Sequence, residues 1–121
     1  SASHMLVGLT IGPVAEAFAL ARPNDVNPAK IREALFGGFA HSRILELHGE
    51  RMLTEDFNPR AKCSIQRKDI AEAMELAASV NLHLPGLSTN MKLWDSMIEN
   101  DWAELDHSAL LLAIDPQWNK K

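Results

Sequence analysis

The chain has 121 residues, of which 46% are hydrophobic and 23% charged, with a net charge of −4. That length fits one domain with its own core, and an acidic balance with no basic block argues against a nucleic-acid partner, which is held by clustered Lys and Arg. A single cysteine, Cys63, excludes an internal disulfide and fits a reducing, cytoplasmic compartment.

No apolar run approaches the roughly 20 residues of a membrane span, so no membrane partner is expected. No charged segment followed by an apolar one marks a secretory leader. Residues 1–5, SASHM, read either as a cloning scar or as the native start of the first helix.

In chain order the pattern predicts about six helices and no strand. Over residues 6–21, Val7, Ile11, Val14, Phe18 and Ala21 recur at helical spacing, and Pro13 should kink the segment. Asn27 caps a second helix with Pro28 in its first position, and Gly37-Gly38 ends it. Ser42 starts a third helix through Leu53, residues 54–59 connect, and residues 60–80 form the long fourth helix. Its apolar stripe is Ile70, Ala73, Met74 and Ala77, and residues 82–86 follow as an extended link. Residues 88–99 form a fifth helix carrying Trp94 and Met97. Asp106 caps a last one over 109–114, and residues 116–121 are a polar tail. The sum is an all-α helical bundle without an internal domain boundary.

Three motifs stand out. Lys68-Asp69 lies on the second turn of the long helix; Lys68 is about 60° around the axis from Ile65, so it borders the apolar stripe and can reach an anion as a point charge. GGFAHSR, residues 37–43, is a glycine-rich loop opening onto a helix N-terminus, where backbone N–H groups can hold a carboxylate; by itself it is a turn and a capping serine. LDHSAL, residues 105–110, invites comparison with a catalytic triad, but sequence neighbours cannot supply triad geometry and a helix cap is the stronger reading. Cys63 reads as a small buried residue. His41, His48, His83 and His107 are scattered, and no metal site is expected because zinc needs three or four converging ligands.

GGFAHSR, the Phe57-Asn58-Pro59 approach to Lys68-Asp69, and LDHSAL together resemble the C-terminal helical domain of the β-hydroxyacid dehydrogenases, and within them the 2-hydroxy-3-oxopropionate (tartronate semialdehyde) reductases. The likeness covers nearly all of residues 6–114. It implies a fold like the C-terminal domain of 6-phosphogluconate dehydrogenase-like enzymes, with residues 6–115 as a substrate and dimerisation domain. It also implies NAD or NADP as cofactor, a small hydroxyacid or its semialdehyde as substrate, a homodimer, and an N-terminal Rossmann domain as partner.

By this resemblance Lys68 contacts the cofactor and Asp69 orients it, while Gly38, Phe39 and Ser42 lie near the substrate. The family's general acid is a lysine in a Lys-x-x-Asn pattern; aligning residues 14–17 without gaps places it just before Ser1, with Ser3 or His4 at the asparagine. No catalytic residue is therefore expected within these 121 residues, and the chain alone should neither bind NAD(P) nor turn over. Relatives carry Gly-Phe where this chain has Arg60-Ala61, which removes an aromatic from the site. That departure keeps a threonate or 3-hydroxyisobutyrate dehydrogenase relative in view. A stand-alone helical dimerisation module is the non-enzymatic alternative.

Overall fold

The computed structural model describes residues 2–118. Among them are six α-helices: α1 (Ala2–Ala21), α2 (Pro28–Leu35), α3 (Arg43–Thr54), α4 (Cys63–Ser79), α5 (Pro85–Glu99) and α6 (Leu111–Ile114). Two short 3₁₀ turns, Arg22–Asn24 and His107–Leu110, complete the elements. The arrangement is the helical bundle that the periodicity predicts.

α1 is the central element and touches every other helix. Gly8, Ile11, Gly12, Ala15, Phe18 and Ala21 are buried along it. A helix surrounded by others is apolar nearly all round, which corrects the expectation about membrane-length runs: residues 2–24 are long and apolar enough to cross a membrane by length and composition. Packing against five other helices accounts for its buried face, 33% of that apolar window, while Leu6 and Leu20 are exposed. The helix starts four residues before the predicted boundary and continues through Pro13, which lies on its exposed side. The proline nitrogen has no hydrogen to offer the carbonyl of Leu9, and that outer face can leave the carbonyl to water.

Local capping sets the next two helices. Asn27 Oδ1 accepts from the Ala29 N–H at 2.9 Å, with Pro28 buried behind it. Gly37, at φ +80°, turns the chain out of α2 in the left-handed region that glycine tolerates. Ser42 Oγ accepts from the Leu45 N–H at 3.0 Å and opens α3.

Three boundaries differ from the sequence reading, each for a tertiary or local reason. α4 begins at Cys63, not residue 60, because the preceding residues are extended and bridge to the segment before the last turn. Cys63 N–H donates to Leu105 O at 2.9 Å and His107 N–H to Ala61 O at 2.7 Å. α5 begins at Pro85, inside the segment expected as a link, since proline suits the first helical position. The last predicted helix is a 3₁₀ turn followed by the single α-turn α6.

Part of the expected tail is core. Trp118 is buried and its indole N–H donates to Met52 O at 3.2 Å, while Asp115 accepts both guanidinium arms of Arg22 at the end of α1. Residues 119–121, the rest of that tail, and Ser1 lie outside the described residues.

Candidate functional site

α4 presents Lys68 on its second turn, exposed at the surface. Its cationic neighbours are neutralised: Lys62 Nζ lies 2.8 Å from Glu104 and Arg67 Nε 2.7 Å from Asp95. Among the described residues, no hydrogen bond or ion pair engages Lys68. An exposed ammonium without an acid partner fits a single contact to an anionic or electron-rich ligand.

Asp69 does not face Lys68. Consecutive helix residues diverge by about 100°, so i and i+1 cannot meet side by side. Asp69 Oδ2 instead lies 3.7 Å from His4 Nδ1, on the first turns of α1. Ser3 is exposed there and His4 largely so.

The loop between α2 and α3 is shaped by Phe36, whose ring is stacked under the Arg32 guanidinium at 4.5 Å and meets the His41 ring edge-on at 5.1 Å. Gly38 is exposed, and its N–H donates to Leu35 O at 3.3 Å. Phe39 projects into solvent with no burial. Ser42 spends its oxygen on the α3 cap, yet also lines an apolar groove of about 420 Å³ between α1 and the α2–α3 loop, with Leu9, Pro13 and Ala17 on the α1 side. Asp69 meets α1 at His4, whereas this groove starts at Leu9, about 7–8 Å further along the helix at 1.5 Å per residue. Asp69 and Ser42 therefore meet α1 at two levels, and the sequence-predicted residues do not line one common pocket.

LDHSAL is a cap, as its sequence suggests. Asp106 is fully buried and accepts from the N–H groups of Arg60 (3.0 Å), Ala61 (3.2 Å) and Ser108 (3.1 Å), and from Ser108 Oγ (2.6 Å). Arg51 Nη1 lies 3.4 Å from it. Burial works to raise its pKa, but the hydrogen bonds from Ser108, Arg60 and Ala61 outweigh that and hold it down to about 2. The Ser108 hydroxyl donates to Asp106 while both His107 nitrogens pair elsewhere, with His48 and Gln66, so there is no triad. Cys63 is buried, its thiol donating to Asp106 O at 3.4 Å; burial, aided by the Asp106 charge, pushes its pKa up to about 12. It is not a nucleophile.

The sequence reading missed a buried polar chain. His48 Nε2 and His107 Nε2 are 2.7 Å apart, His107 Nδ1 is 3.1 Å from Gln66 Oε1, and Gln66 Nε2 donates to the His4 carbonyl at 3.0 Å. Burial lowers the His48 pKa to about 4, with the neighbouring His107 and Arg51 adding to the effect, and burial likewise lowers that of His107. A second clamp lies one turn along α1, where Asn90 Nδ2 donates to Gly8 O at 3.1 Å and Asn90 Oδ1 accepts from the Trp94 indole N–H at 2.8 Å. The available signal was position: Gln66 and His48 fall on the buried stripes of α4 and α3, between Cys63 and Ile70 and between Leu45 and Met52. Among the described residues no cluster of three or more metal-ligating side chains occurs.

Comparison with known proteins decides the family. Residues 1–114 match the family described as NAD-binding of NADP-dependent 3-hydroxyisobutyrate dehydrogenase. The chain belongs to this family. It is 41% identical to 2-hydroxy-3-oxopropionate reductase of Escherichia coli K12 over 99% of its own length and 41% of that protein's. A mitochondrial 3-hydroxyisobutyrate dehydrogenase-like protein of Arabidopsis thaliana is 28% identical over 94% of this chain and 34% of its own. The fold matches the crystal structure of 3-hydroxyisobutyrate dehydrogenase from Salmonella typhimurium with a TM-score of 0.86 at 24% identity, over 90% of this chain and 38% of that one. The Mycobacterium tuberculosis 3-hydroxyisobutyrate dehydrogenase with L-serine gives a TM-score of 0.82 at 20% identity, over 94% and 41%. The chain thus spans about two fifths of the length of these relatives, and those similar structures at under a quarter identity establish the bundle alone.

Proposed function

We propose that this chain is the helical, substrate-side part of an NAD(P)-dependent 2-hydroxy-3-oxopropionate reductase, working in the cytoplasm with a nucleotide-binding domain and as a homodimer. The observation that carries the reading is the 41% identity to the E. coli reductase across 99% of the chain. GGFAHSR and LDHSAL, the motifs that pointed to the same group, both lie in that span.

The nicotinamide, when bound, supplies a hydride to the carbonyl carbon of the semialdehyde. The residues of this chain hold and orient. Lys68, exposed and without an acid partner, is suited to one contact with the cofactor's nicotinamide end. By the family resemblance, the group that gives the carbonyl oxygen its proton is a lysine aligned just before Ser1, next to the N-terminal end of α1. Asp69 acts on that same end by facing His4, rather than by orienting Lys68. Gly38, Phe39 and Ser42 are the substrate-side surface, with Phe39 free to fold over a ligand.

The test is turnover by the full-length protein containing this chain, with NADH and NADPH against tartronate semialdehyde and methylmalonate semialdehyde, and with NAD+ and NADP+ against threonate. Preference for tartronate semialdehyde is the expected outcome. A preference for methylmalonate semialdehyde would favour the second reading, a 3-hydroxyisobutyrate dehydrogenase, which the family description and Arg60-Ala61 support. No turnover of any of the three would refute both.

A further inference from the structure

Resting on that reading and deepening it, the geometry points to His48, His107 and Gln66 as positioning residues for the reaction: a neutral side-chain relay that fixes the first turn of α1 and the proton donor carried at that end.

The relay has a direction because only one set of hydrogens satisfies it. The His4 carbonyl can only accept, so the Gln66 amide nitrogen faces it and Oε1 faces His107. His107 Nδ1 must then carry the hydrogen, leaving its Nε2 bare to accept from His48 Nε2–H at 2.7 Å. His48 Nδ1 is consequently bare, and it is buried without a partner. An orphaned acceptor at the end of a chain is what this assignment requires.

Two observations argue for more than packing. The relay ends on main chain, at the His4 carbonyl of α1, so three side chains from α3, the 3₁₀ turn and α4 converge on the placement of one helix turn. α1 also carries glycine where Gln66 approaches: a Cβ at Gly8 would lie 2.6 Å from Gln66 Nε2 and 2.9 Å from Ile70 Cδ1. A larger residue would push away the amide that grips the turn.

One more proton goes to the bare Nδ1 of His48, which keeps the 2.7 Å contact but leaves a charged ring buried beside His107; a second proton sets two donors against each other there. The charges that face the rings are Asp106, at the 3₁₀ turn, and Arg51, on α3, which oppose each other 3.4 Å apart. From α4 the rings meet the neutral amide of Gln66, and from α1 a carbonyl reached through it; the His4–Asp69 pair marks that far end.

Imidazole ¹⁵N NMR of this chain at pH 7 tests the assignment. Hydrogen on Nε2 of His48 and Nδ1 of His107 is expected; the opposite tautomers, or a charged ring, would overturn the relay. Amide exchange in His48→Leu then tests the coupling to α1. Exchange about tenfold faster at residues 6–8, with α5 unchanged and His48→Gln restoring protection, is expected. Gln66→Met, which keeps the volume and removes the amide, should behave as His48→Leu and covers the case in which that variant fails to fold. In the full-length protein the same changes should lower kcat about tenfold with KM for the nicotinamide cofactor nearly unchanged, and His48→Gln should regain most of the rate and flatten the acid limb of the kcat profile. Unchanged kcat and pH profile with only a lower Tm would make the network packing and nothing more. Failure of the wild-type protein to reduce any semialdehyde would strike down the functional reading, while tautomers and exchange would still decide the relay.

Discussion

Asp106 ties three segments of this fold together, because one buried carboxylate gathers four hydrogen bonds and a nearby guanidinium. Removing it leaves buried donors without acceptors, so Asp106→Ala should cost about 3–5 kcal/mol, read as a lower urea midpoint. The pH dependence has two parts of the same sign. His48 titrates near 4 in the folded chain, below an unfolded value near 6.5. The unfolded state therefore binds the proton first, and stability falls as pH drops from about 6.5 towards 4. Asp106 is depressed to about 2; its contribution is present above the unfolded carboxylate pKa and is lost as pH falls from about 4 through 2. Urea midpoints measured from pH 8 to pH 2 should show both declines, and His48→Gln should shrink the first while leaving the share of His107, whose pKa burial also lowers.

The glycines show at the scale of an element how the same change takes opposite signs. In α1, Gly8→Ala gains up to about 1 kcal/mol in helix propensity but places its Cβ against Gln66 and Ile70. Overpacking of that kind costs about 1–3 kcal/mol, so a net loss of stability is expected. In α5, a Cβ at Gly86 meets nothing within 4 Å, and Gly86→Ala should stabilise by about 0.4–1 kcal/mol. Thermal melts of the two variants side by side check the contrast. The caps of α2 and α3 were legible because Asn27-Pro28 and Ser42 act on N–H groups two or three residues away. The start of α4 was not, because the partner that holds residues 60–62 extended is Asp106, more than forty residues on.

For the molecule as a whole, the last described residues decide how the bundle closes. Trp118 packs under α3 and Asp115 pins the end of α1, so Trp118→Ala should lower stability by about 3 kcal/mol, measured by urea unfolding. Lys68 is the opposite case. It is exposed and has no ion-pair partner among the described residues, so Lys68→Ala should change stability by less than about 0.5 kcal/mol while reducing turnover of the full-length protein. Unchanged kinetics there would remove Lys68 from the proposed site.

Helical class, the α2 and α3 caps and the family motifs were decided by the sequence itself, because each depends on neighbours within a turn or two or on an unbroken run of residue types. Tertiary structure alone decided that Asp69 faces His4 and not Lys68, that Ser42 lies at a different level of α1 from Asp69, and that Gln66 and His48 are buried partners of His107 and not helix-face polar residues. The physical reason is the same in each case. A hydrogen bond or ion pair between helices is set by the angle and separation at which they pack, and no local periodicity carries that information.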